Sequence, residues 1–163
     1  RPYEIADLYQ MPLFEDRLVI AAGNRHPLRD EAQPTLEQLR AFPWILPPRN
    51  TPLRETWNQL FEGQDLPATP IECGSVMIIG RLLTEGNFLT LLSPDQVALQ
   101  IRSGLLTRIG QPLENSSRRV GITTRRSWRP TAGQYRFLEL LKQKAREVET
   151  GAEEPHRRRT EWA

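Results

Sequence analysis

The apolar residues of this chain gather into short runs at Leu18–Ala22, Trp44–Leu46, Pro70–Cys73, Phe88–Leu92, Leu105–Ile109 and Val120–Thr124, separated by polar, helix-patterned stretches. Runs this short are strands, and the stretches between them, roughly ten residues each, are long enough for helices. Several runs, Leu-Val-Ile-Ala-Ala among them, show no polar alternation. A strand that is apolar on both faces must be covered on both faces, which predicts a parallel sheet flanked by helices, an α/β fold.

The helix starts carry their own chemistry. Thr51 precedes Pro52, a hydroxyl cap ahead of a proline in the first helical position, where its missing N–H costs nothing. The spacing predicts a helix from Pro52 to about Glu62, stopped at Gly63. Ser93, Pro94, Asp95 and Gln96 predict a second helix with a capping box, ended by Gly104. Ser75 is placed to cap a third, with Val76, Ile79, Leu82 and Leu83 along one face and Gly86 at its end. Thr131 opens a fourth, in which Tyr135, Leu138 and Leu141 recur at helical spacing. From residue 149 onward the chain turns polar and charged, and a disordered tail is expected over 149–163.

Composition bounds the function. A chain of 163 residues, 38% hydrophobic and 26% charged, is long enough to bury a core. A single cysteine, Cys73, excludes an intrachain disulfide, and with only His26 and His156 beside it no structural zinc site is expected. No apolar stretch approaches the roughly 20 residues of a membrane span, and Arg1–Gln10 has no signal-peptide core, so a cytoplasmic protein without membrane contact is expected. Of the 22 Lys and Arg residues 12 lie from Arg118 onward, against 6 of the 20 acidic ones, so the basic excess is C-terminal. Lys142, Lys144 and Arg146 are read as complementing the end of the last helix rather than as a nucleic-acid footprint. The Arg125, Arg126, Trp128 and Arg129 group is read as a solvated or salt-linked face. Cys73, followed by Gly74 and Ser75 at a strand end, is read as core rather than as a nucleophile, since neither histidine is placed to serve it as a base. His26, beside Pro27, is read as bonding backbone. No nucleotide-loop, zincin or serine-hydrolase motif occurs, so neither an enzyme nor a cofactor is expected.

Longer stretches carry a family resemblance. LFEDRLVIAAGNRHPL (Leu13–Leu28), with its His-Pro-Leu, resembles the segment of LysR-type transcriptional regulators that passes from the first effector-domain lobe into the second. Thr35–Arg54, Ile71–Val97 and Val120–Lys142 resemble, in order, the elements of the second lobe and the return into the first. The Leu-Pro-Pro and Thr-Pro-Leu-Arg wording resembles the branch that regulates sugar-binding-protein and protocatechuate genes. The resemblance implies a type II periplasmic-binding-protein-like fold of two lobes. The second would occupy 23–117 complete, and the first, in part, 1–22 and 118–148. It implies an effector-sensing and dimerisation module whose DNA-binding domain is not in this sequence. An alternative reading is a free-standing solute-binding protein of the same architecture.

Where strand C-termini and helix N-termini converge, such folds bind small polar or anionic molecules. The positions matching the family's inter-lobe cleft are Asn50, Thr51, Pro52, Leu92, Ser93 and Thr123. Capping alone explains Thr51 and Ser93, and sheet-edge pairing alone explains Thr123, so Asn50 is the most informative of them. The expected ligand is an organic acid or a sugar-like metabolite. Met77, Ile78 and Arg81, on the helix after Ser75, are the candidate contacts of a homodimer or homotetramer.

Overall fold

A computed structural model describes residues 7–151. The chain divides into two compact units, one over Arg17–Ser117 and one formed by the segments on either side of it. Unit 2, as we call the central segment, contains β2 (Val19–Gly23), α1 (Leu36–Arg40), β3 (Ile45–Leu46), α2 (Pro52–Leu60), β4 (Ile71–Glu72), α3 (Val76–Glu85), β5 (Leu89–Leu92), α4 (Ala98–Arg102) and β6 (Leu106–Ile109). Unit 1 contains β1 (Leu8–Asp16), β7 (Arg118–Arg125) and α5 (Ala132–Gly151). The tail expected from residue 149 therefore begins inside α5, and residues 152–163 lie outside the described residues.

In unit 2, β2 is the centre of a β5-β2-β6 sheet and runs antiparallel to both neighbours. β3 and β4 pair in parallel, and a parallel bridge from Trp44 to Leu89 ties them to β5. The expected parallel sheet is therefore mixed: β3, β4 and β5 share one direction, β5 and β6 run the same way, and β2 runs against them. An unbroken apolar run reports that both faces are covered, and strand direction is set by where the chain enters. β2 also lies in unit 2, although the sequence reading grouped residues up to 22 with the flanks.

Successive strand residues feed two cores. Ile20, Ala22, Leu89, Leu91 and Ile109 join Trp44, Trp57 and Phe61 in one cluster, shared with Leu39 of α1. Ala21, Leu92 and Leu106 join Ile79 and Leu83 of α3 and Val97 in the other. In the first, Trp44 meets Trp57 and Phe61 edge-on, with ring centres 6.2 and 5.5 Å away, and its indole N–H donates to the Leu39 carbonyl at 3.0 Å.

Local capping positions the helices. Thr35 and Gln38 form a capping box on α1, and Thr131 and Gln134 bond reciprocally at the start of α5. The helix expected after Ser93 begins as a 3-10 turn, Pro94–Val97, and becomes α-helical only at Ala98. Ser75 does precede α3, but its hydroxyl makes no capping bond.

In unit 1, β1 and β7 form an antiparallel ribbon from Leu8↔Arg125 to Asp16↔Arg118, with a register shift at Pro12. Proline has no N–H to give a ladder, so it fits where pairing is interrupted. The ribbon end is locked by an ion pair in which the Arg118 Nη2 lies 2.7 Å from the almost fully buried Asp16 carboxylate. Within unit 2, the Leu18 N–H donates to the Ser116 hydroxyl at 2.9 Å.

Candidate functional site

Parallel pairing of β3 with β4, and of Trp44 with Leu89, brings the C-terminal ends of β3, β4 and β5 to one edge of unit 2. Three helical segments start from that edge: α2 after Thr51, α3 after Ser75 and the 3-10 turn after Ser93. β2 begins at the same edge, with Val19 opposite Leu92. Leu18 bonds both Ser116 and, through its carbonyl, the Leu113 N–H, so both ends of unit 2 lie here.

The loop between β3 and α2 is held from behind. Arg54 donates to the Pro47 carbonyl at 3.3 Å, lies 3.5 Å from the Glu72 carboxylate and stacks over the Trp57 ring at 5.6 Å. Pro48 approaches Gly74 at the end of β4, whose added Cβ would lie 3.5 Å from the proline ring. Asn50 sits in this loop with φ 65°, a left-handed conformation that asparagine tolerates better than most residues. Its side chain is exposed and makes no hydrogen bond to another described residue.

The other expected site residues divide by what their polar groups already do. The Thr51 hydroxyl donates to the Pro48 carbonyl at 2.8 Å and accepts the Arg54 N–H at 3.3 Å, which uses it fully as a cap. Pro52 is the exposed first residue of α2. Ser93 is buried and shares a capping box with Gln96. Strand alternation turns the Leu92 side chain into the second core, so at this edge Leu92 offers its main chain. Thr123 is exposed on β7 and belongs to unit 1. Gly74 and Ser75 stand at the edge but were not among the expected ligand residues. The signal that finds them is the third repeat of a strand end followed by a helix start.

This edge offers hydrogen-bonding groups and helix-start N–H donors but no reactive pair. Cys73 is half-buried rather than core, packed against the second cluster with Sγ 3.9 Å from the Ser75 carbonyl. His26 lies beyond the far end of β2, away from the edge where β2 begins. There its Nδ1 accepts the Leu28 N–H at 3.1 Å, as expected of a backbone-bonding histidine. Its ring packs on Phe42, with centroids 4.4 Å apart. Burial pushes its pKa below the ordinary value, an effect that the backbone of Asn87 partly opposes, although Nε2 reaches no partner in hydrogen-bond geometry. Among the described residues no group of His, Cys, Asp and Glu is arranged to hold a metal ion.

Residues 1–146 match the family of LysR substrate binding domains. The chain belongs to that family. It is 30% identical over 128 residues to the HTH-type transcriptional regulator GalR of Pseudomonas putida, covering 77% of this chain and 32% of that protein. To the HTH-type regulator PcaQ of Agrobacterium fabrum it is 25% identical over 140 residues, covering 85% and 44% respectively. This LysR domain thus spans between a third and a half of the length of those relatives. Its fold is similar to that of the Synechocystis CcmR regulatory domain in complex with 2-PG, with TM-score 0.72, 21% identity and coverage of 91% of this chain and 71% of the other. A putative transcriptional regulator from Vibrio parahaemolyticus gives TM-score 0.76 at 10% identity, covering 94% and 70%. The fold is the type II periplasmic-binding-protein-like class, here mixed α/β. The family is one of regulator domains and not of enzymes. Its members are substrate binding domains. Among the described residues no helix is long and apolar enough to cross a membrane.

Proposed function

We propose that this LysR domain senses a small organic acid or sugar-like effector for a cytoplasmic, DNA-binding regulator, and that the effector sits on the edge of unit 2 where β3, β4 and β5 end. The observation that carries this reading is the convergence there of three helix starts with both ends of the unit. Helix N-termini favour anionic and hydroxyl-bearing ligands, because their first N–H groups lack intrahelical acceptors. A ligand on that edge touches the segments through which unit 2 continues into the rest of the chain, so its binding free energy can bias their arrangement. Two structural neighbours, CcmR with 2-PG and the QuiR effector domain with shikimate, hold small ligands. Asn50 and Ser75, whose side-chain polar groups bond no other described residue, are the side chains we assign to recognition.

Thermal-shift titration against a panel of organic acids and sugars tests this. A true effector at one hundred times its Kd stabilises the domain by about 2.7 kcal/mol. Asn50→Ala and Ser75→Ala are each expected to weaken that ligand at least tenfold. A ligand that stabilises both variants as it does the wild type refutes the assignment, and a panel without any stabilising member favours a dimerisation module that has lost sensing.

We further propose that α3 is a self-association surface. Met77 and Ile78 are 84% and 55% exposed on a helix whose opposite face fills a core, and Arg81 beside them pairs with Glu85 at 2.7 Å. Exposed apolar groups of that size fit the centre of an isologous contact. Sedimentation velocity is expected to show a homodimer or larger for the wild type and a monomer for Ile78→Asp. A wild-type monomer at high micromolar concentration, or an unchanged Ile78→Asp oligomer, overturns it.

A further inference from the structure

A separate open depression lies wholly within unit 1, at the turn from β7 into α5. Thr123, Thr124, Arg125, Ser127, Trp128 and Arg129 line it. The turn is well anchored: the Trp128 N–H donates to the Arg125 carbonyl at 3.0 Å, and the Arg126 N–H donates to the Asp7 carbonyl at 2.8 Å. What the lining lacks is partners. Among the described residues Arg125 and Arg129, like several other arginines of the chain, have no carboxylate within ion-pair distance; these two line one depression. The hydroxyls of Thr123, Thr124 and Ser127 likewise bond no other described residue. The start of α5 does not supply the site, because Thr131 and Gln134 already close it against each other.

We propose that this depression binds a small anion through a carboxylate or phosphate group. Guanidinium groups present forked N–H donors that match the paired oxygens of either anion, and charge-assisted bonds of this kind are about twice as strong as neutral ones. Three hydroxyls add donors to the oxygens that the arginines leave free. The half-buried Trp128 forms a wall on which a flat acid can rest. Thr123 is also one of the expected cleft positions, so the test avoids that residue.

The test is a site-resolved NMR titration of the 163-residue chain with inorganic phosphate in one arm and benzoate in the other, at constant ionic strength, with chloride as the reference salt. The Trp128 indole N–H, identified by its loss in Trp128→Phe, is the reporter. A saturable shift is expected in at least one arm and none with chloride, and the responding arm names the anion class. In Arg125→Gln/Arg129→Gln, where both replaced side chains are exposed, the apparent Kd is expected to rise at least tenfold. Asn50→Ala is expected to leave it unchanged. A linear response equal to that of chloride overturns the proposal, as does a Kd unmoved in the double variant. Loss of the response in Asn50→Ala with retention in the double variant also overturns it, and moves the anion to the edge of unit 2.

Discussion

Gly23→Ala is expected to destabilise the chain by about 3 kcal/mol, a fall of roughly 10 °C in the thermal midpoint. A Cβ at this position would stand 2.1 Å from the Leu83 carbonyl oxygen, inside any contact distance that atoms tolerate. That oxygen belongs to the main chain of α3, so no side-chain rotation relieves the clash. α3 must move off β2, opening the cluster in which Ala21 meets Ile79 and Leu83. Gly80, on the same helix, is the control. A Cβ there meets nothing within 4 Å, so Gly80→Ala is expected to gain up to about 1 kcal/mol from its better helix propensity. Denaturant unfolding followed by circular dichroism measures both. If Gly23→Ala unfolds with the wild-type midpoint, α3 does not approach β2 as closely as described.

The same strand shows what could be read in advance. The run from Leu18 to Ala22 reports coverage on both faces because every residue in it is apolar, and the two clusters duly divide Ile20 and Ala22 from Ala21. Direction leaves no such mark: nothing local distinguishes a strand antiparallel to β5 from a parallel one. β1, Leu8–Asp16, has no apolar run to mark it. Its pairing is with residues more than a hundred positions away, and Pro12 interrupts it, so local pattern under-reports it.

Capping was legible for the opposite reason. At Thr51, Ser93 and Thr131 the group that bonds and the group it bonds lie three residues apart, so the sequence alone contains the interaction. Asn50 could be singled out because no cap requires it, and its left-handed backbone is consistent with a loop shaped for something other than helix initiation. The inward turn of the Leu92 side chain leaves no mark in the sequence, because a position at a strand end says nothing of which face it takes. Gly74 and Ser75 were overlooked because their place at the edge depends on β4 lying beside β3, a pairing across 26 residues.

The second large effect is expected at Trp44. Trp44→Ala should cost about 4 kcal/mol, near the upper end for removing a buried aromatic. Its side chain is fully buried and is the common neighbour of Trp57 and Phe61, so its loss leaves a cavity bordered by rigid rings that cannot collapse into it. The Leu39 carbonyl also loses the indole donor, and an acceptor left buried without a partner adds to the cost. Main-chain effects should be small, since the bridge to Leu89 and the bond from the Trp44 N–H to the Ala68 carbonyl do not involve the side chain. Trp44→Phe separates the two contributions: it keeps most of the ring contact and removes the donor, so it should lose less than half as much. Urea unfolding curves with a common slope for the three proteins would measure this. Equal losses for Phe and Ala would mean that the hydrogen bond to Leu39, and not the aromatic packing, joins α1 to the sheet. The consequence reaches the effector edge, because Trp44 immediately precedes β3, and β3 carries the loop in which Asn50 is held.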